Sequence, residues 1–213
     1  MATGFQMIRL PAIVFLAAAL AIPLPGEEKD APARRIGVIF EGTFEKVDIT
    51  LPIDGARKTQ LVGYYEWDFG VRPFTEKVWN ERGLTRKKLI PLAKTVAKEL
   101  LQTVESELVR DSRGVILYAI LTDKNPFLTS VLLSPDLIER FRETLGDRIH
   151  AVIVERHRIY LFPATGGLLQ EYGPALVEEF QRASLPVSLE VFLIDDDGYR
   201  VIGELERPDS TEQ

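Results

Sequence analysis

The spacing of apolar positions changes period several times along the chain, and each change marks an element. Residues 36–40 form a short apolar run. Residues 44–51 alternate, with Val47, Ile49 and Leu51 on one face, and residues 60–69 are rich in β-branched and aromatic side chains. These patterns predict three strands, with Asp54-Gly55 as a turn. Thr75 is placed to cap a short helix that stops at Gly83. Leu89, Leu92, Val96, Leu100, Val104 and Leu108 then recur at helical spacing, which predicts a helix over 85–109, kinked or begun at Pro91.

Residues 115–121 are apolar throughout, as a strand covered on both faces would be, and 128–133 read as a second strand. Ser134-Pro135-Asp136 supplies a cap, a first-turn proline and an acidic first turn for a helix that buries Leu137, Phe141 and Leu145 and ends at Gly146. Residues 149–154 and 158–162 predict a tight hairpin. A helix carrying Leu176, Val177, Phe180 and Ala183 follows. Residues 187–194 and 199–205 close the chain as a hairpin over Asp197-Gly198. Strands that arrive in pairs between helices predict an α+β fold. It is expected to be one domain over residues 35–206, with an antiparallel or mixed sheet and helices packed mainly on one face.

The N-terminal segment breaks this pattern. Residues 10–25 form an uncharged run of 16, shorter than the roughly 20 residues that span a bilayer. Arg9 precedes the run, and Ala19 and Ala21 give small-x-small spacing. The segment reads as an export signal, cut after Ala21 or kept as an anchor. Residues 22–34 are a Pro-rich, charged lead-in, and 207–213 a polar tail. The expected location is therefore periplasmic or otherwise extracytoplasmic. Membrane contact is expected only through an uncleaved signal.

Composition narrows the chemistry. Without residues 1–21 the chain has 25 basic and 32 acidic side chains, a balance unsuited to nucleic acid, whose binding relies on phosphate neutralisation. The absence of cysteine removes disulfides, thiolate metal sites and cysteine nucleophiles. Gly166-Gly167 has no following Gly-Lys-Ser/Thr, and no Gly-x-Ser-x-Gly elbow occurs, so the sequence implies no cofactor and no serine hydrolase.

Several residues remain as a candidate binding surface: Asp68, Arg72, Ser130, Glu155, Arg156, His157 and Ser188. Glu155-Arg156-His157-Arg158 is a mixed-charge hairpin tip whose arginines suit an anion, or which is simply solvated. Tyr64, Tyr65, Trp67, Phe69 and Phe74 crowd around Asp68 and Arg72, as recognition surfaces and strand cores both do. Asp195-Asp196-Asp197-Gly198 lacks the spacing and closing Glu of a calcium loop and is explained as a turn. The lysines of the long helix, Lys87, Lys88, Lys94 and Lys98, read as a solvated face or a lipid-facing one.

The aromatic strand from Tyr64 to Asp68 is followed by Gly83-Leu84-Thr85 before a helix and by Ser130-Val131-Leu132-Leu133. Gly146-Asp147 then precedes Ile149-His150-Ala151-Val152, and Pro186-Val187-Ser188 and Asp197-Gly198 come last. By these cues the chain from about residue 60 onward resembles the bacterial YtpQ-like family of unknown function. Where that family often has Pro-x-x-Asp, this chain has Val154-Glu155-Arg156-His157. The resemblance implies one α+β unit and no assigned activity. Two functions therefore stand against each other: a non-enzymatic binding or scaffold module of the envelope, with an unknown protein or small-molecule partner, and a carboxylate-dependent hydrolase or transferase using Asp68 or Glu155 near a histidine.

Overall fold

The computed structural model describes residues 35–206. The predicted signal, lead-in and tail lie outside the described residues. The architecture is α+β, built on two antiparallel sheets rather than one. In the first sheet, β3 (Thr59–Trp67) is the central strand. Along one edge it pairs with β1 (Ile36–Gly42), and along the other with β2 (Thr50–Leu51) and then β4 (Gly70–Pro73).

The second sheet has six strands. They are β5 (Glu105–Arg110), β6 (Ile116–Thr122), β7 (Ile149–Glu155), β8 (Arg158–Pro163), β9 (Glu190–Asp195) and β10 (Gly198–Glu204). Their order across the sheet is β10-β9-β7-β8-β6-β5. The helices are α1 (Glu76–Glu81), α2 (Arg86–Thr103), α3 (Leu137–Leu145) and α4 (Leu168–Arg182), with a 3₁₀ segment at Leu128–Leu133.

Period-two alternation decides how the second sheet packs. Ile149, Ala151 and Ile153 of β7, with Ile159 and Leu161 of β8, enter a core shared with α2, α3, the 3₁₀ segment and the first sheet. Val152, Val154, Tyr160 and Phe162 point the other way, into a smaller cluster with Leu169 and Leu176 of α4. Helices therefore cover both faces of this sheet. The expectation of helices mainly on one face is corrected, because β7 and β8 carry apolar residues at odd and even positions alike.

Residues 44–51, expected as one strand, keep strand pairing only at Thr50–Leu51, with turns and bends before it, and two further elements differ from the expected ones. The long helix ends at Thr103, and Glu105–Arg110 leaves it as strand β5, paired with β6. The steps Leu100, Val104, Leu108 fit a helical turn, but a step of four is also two strand repeats, so spacing alone did not separate them. Pairing with β6 satisfies backbone groups of the strand. The second is residues 128–133, expected as a strand and found as a 3₁₀ segment buried at all six positions. Two Asx turns launch it: Asn125 N–H donates to Asp123 Oδ1 and Phe127 N–H to Asn125 Oδ1.

Backbone amides join the first sheet to the 3₁₀ segment and the second sheet to the loop after β2. Phe40 N–H on β1 donates to Thr129 Oγ1 of the 3₁₀ segment at 2.9 Å. Val201 N–H on β10 donates to Asp54 O at 2.9 Å. Gly55 follows with φ +74, and a Cβ there would lie 2.3 Å from Val201 O, so this turn requires glycine on both counts. Phe40 packs edge-on against Phe192 of β9 and Tyr199 of β10, at centroid separations of 5.5 and 5.6 Å.

Candidate functional site

β1 reads Ile-Gly-Val-Ile-Phe-Glu-Gly, and its one charge, Glu41, is 2% exposed. A carboxylate so buried needs a partner. Arg156 supplies it from the turn between β7 and β8, where its own N–H donates to Leu185 O. The guanidinium Nη2 donates to Glu41 Oε1 at 2.6 Å, and the Tyr64 hydroxyl donates to the same oxygen at 3.1 Å. Burial raises the Glu41 carboxyl above its ordinary 4.5, more than the Arg156 charge lowers it. The Tyr64 hydroxyl is pushed up by burial and then by the neighbouring Glu41.

A second polar set lies where Gly42 and Thr59 pair. Thr59 Oγ1 and Ser188 Oγ share a hydrogen bond of 2.6 Å, and Ser188 Oγ also accepts from Glu190 N–H. Glu190, 3% exposed, accepts from Arg57 N–H and Lys58 N–H through Oε1, at 2.6 and 2.9 Å. Among the described residues, Ser130 Oγ, Arg156 Nε and Glu190 Oε2 are buried without a hydrogen-bond partner.

This polar seam borders a groove of about 850 Å³. Phe44, Phe180, Val187 and Leu205 give it apolar surface, and Ser188 joins it to the seam. Lys58 and Glu204 are ion-paired beside it, Nζ to Oε1 2.5 Å. The volume lies within the range of small-molecule sites, roughly 300–1,000 Å³. Phe44 is 56% exposed.

The candidate residues divide among four places. Arg156 and Ser188 belong to the seam, Ser188 being buried and Arg156 largely so. Ser130 is fully buried in the 3₁₀ segment and offers no surface to a partner. Glu155 and His157 line a separate cavity of about 510 Å³ with Asp123, Lys124 and Arg158. There His157 Nδ1 lies 3.0 Å from Asp123 O, and Arg158 is paired with Glu179 at 2.6 Å. Asp68 and Arg72 sit on the β3–β4 hairpin, Asp68 in the exposed turn and Arg72 with its guanidinium carbon 3.3 Å from the Trp67 ring centroid. No single continuous surface collects all seven.

Glu41, Thr59 and Glu190 were not singled out in the sequence. Their legible signal is a carboxylate inside an apolar strand: Glu41 between Phe40 and Gly42, Glu190 between Leu189 and Val191. Such a residue is either on a solvent face or paired within, and only the fold decides which. Comparison with known protein families, with curated proteins and with solved structures returned no match, so the YtpQ-like resemblance rests on the sequence cues alone.

Proposed function

We propose that this chain is an exported, non-catalytic binding module of the bacterial envelope that takes a small amphipathic ligand in the groove beside the inter-sheet seam. The groove carries the proposal. It joins apolar walls at Phe44, Phe180, Val187 and Leu205 to a Lys58–Glu204 rim. Two carboxylates near it have structural partners: Glu41 accepts from Arg156, and Glu190 accepts from the Arg57 and Lys58 amides. These bonds give both carboxylates a part in holding the scaffold.

The test is a fluorescence titration with 8-anilinonaphthalene-1-sulfonate, an amphipathic anion. The expected result is saturable binding at one site per chain, weakened at least tenfold by Leu205→Asp. Binding that is unsaturable, or unchanged by Leu205→Asp in a chain that melts normally, refutes the groove as the site.

A second reading draws on the other cavity. There, the Asp123 carbonyl beside His157 Nδ1 orients the imidazole, and Glu155 lines the same space. A carbonyl-oriented histidine near a carboxylate suits general acid–base chemistry. A hydrolase screen on ester and phosphoester chromogens separates the readings: activity abolished by His157→Ala and reduced by Glu155→Gln favours catalysis.

A further inference from the structure

The β3–β4 hairpin carries a feature that the groove does not use. Tyr65 and Arg72 pair directly across the two strands, and Trp67 pairs with Gly70, so Tyr65, Trp67 and Arg72 share one face. Arg72 lies over the Trp67 ring at 3.3 Å, and Arg82 approaches the Tyr65 ring at 5.7 Å. At the tip, Phe69 packs edge-on against Trp67 with centroids 4.9 Å apart and remains 83% exposed, the most exposed large apolar side chain among the described residues. Asp68 is the acidic residue at the same turn.

Chain direction adds a second observation. The first described residue, Arg35, accepts the Glu66 N–H through its carbonyl at 2.8 Å, beside this tip. Residues 26–34, nine in number, separate it from the apolar run 10–25, about 30 Å of chain when fully extended. The described residues thus begin at the hairpin end of the domain.

From these two observations we propose that the hairpin tip is a membrane-contact element. Phe69 and Trp67 enter the interfacial layer, and Arg72 and Arg82 meet the phosphates of an anionic phospholipid bilayer. Amphipathic aromatic rings settle at headgroup level, and nearby arginines favour anionic lipid. The proposal goes beyond the ligand groove, and its tethering part rests on residues 10–25 being membrane-directed.

The test uses the full chain with Trp79→Phe, which leaves Trp67 as its one tryptophan, since the sequence has two. It is mixed with phosphatidylethanolamine–phosphatidylglycerol vesicles that contain a shallow-brominated phospholipid. The expected result is a blue-shifted Trp67 emission quenched at least twofold by the bromolipid, with both effects lost in Phe69→Asp. Co-sedimentation through residues 10–25 should persist in that variant. Unchanged Trp67 emission in a chain that co-sediments overturns the tip proposal and leaves the tether standing. Unchanged emission without co-sedimentation overturns both. A Trp67 shift that survives deletion of residues 1–25 supports the tip acting alone.

Discussion

Arg156 and Glu41 stand 115 positions apart in the chain, yet Arg156 Nη2 lies 2.6 Å from Glu41 Oε1. One residue comes from the tip of the β7–β8 hairpin and the other from the end of β1, so this ion pair joins the two sheets. Its side chains are 19% and 2% exposed. Removing one member of a buried pair strands the other charge and costs about 3–5 kcal/mol. Arg156→Ala is expected at the lower end of that range, since Arg156 keeps some solvent contact. Replacing both with leucine should recover most of the loss. Urea unfolding of the two single variants and the double variant measures the coupling; additive losses would show that the pair contributes nothing beyond its separate side chains.

The same carboxyl makes stability depend on pH in a defined direction. Burial raises the folded Glu41 carboxyl above 4.5, so the folded state binds its proton more tightly than the unfolded state. Stability from this group is present below 4.5 and is lost as pH rises through the folded value. Wild type should therefore lose stability relative to Glu41→Gln between pH 4.5 and its folded value, with a constant difference above. Denaturant midpoints of both proteins from pH 4 to 8 measure this. A difference that grows in favour of wild type as pH rises contradicts the assignment.

His150 behaves in the opposite sense. Burial, then the neighbouring Arg148 charge, holds its imidazole below the ordinary 6.5. The folded state prefers it neutral, so its contribution is present above 6.5 and is lost as pH falls through the folded value. His150→Gln should flatten that part of the wild-type profile. An unchanged slope between pH 5 and 6.5 would place the proton uptake elsewhere.

Thr129 completes a buried backbone group, accepting the Phe40 N–H at 2.9 Å. Thr129→Val keeps the shape and removes the acceptor, which should cost about 1–3 kcal/mol, the cost of a stranded buried donor. Thr129→Ser should recover much of it. Thermal unfolding and exchange of the Phe40 amide report the two effects; a Val variant as stable as wild type would mean the amide finds another acceptor.

The β7–β8 and β9–β10 hairpins and the helix Leu137–Leu145 were legible because local chemistry marks them. Asp197-Gly198 closes β9 and β10, with Asp197 N–H donating to Asp195 Oδ1, and Ser134-Pro135-Asp136 precedes α3, although the N-cap is Asp136, with no side-chain cap bond, and not the expected Ser134. Residues 128–133 were not legible, since burial at every position removes the alternation that separates a strand from a 3₁₀ turn. The site was legible only in fragments. Arg156 and Ser188 stood out by their surroundings, but Glu41 and Glu190 acquire meaning only when the sheets meet. No local pattern encodes a partner 115 residues away.

Export carries its own expectation. Residues 1–21 hold one charge, Arg9, and no polar face. A shortened chain beginning at Glu27 should fold with unchanged stability and stay soluble at higher concentration. Unfolding or aggregation of the shortened chain would make residues 10–25 part of the core and overturn the proposed location.

The central proposal, a ligand groove beside the seam, is tested most directly by native mass spectrometry of the protein isolated from the envelope of the producing cell. A bound small molecule should appear as added mass on wild type and be lost in Leu205→Asp, while the Phe69→Asp variant retains it. Bare protein mass for wild type, or added mass that persists in Leu205→Asp, contradicts the proposal.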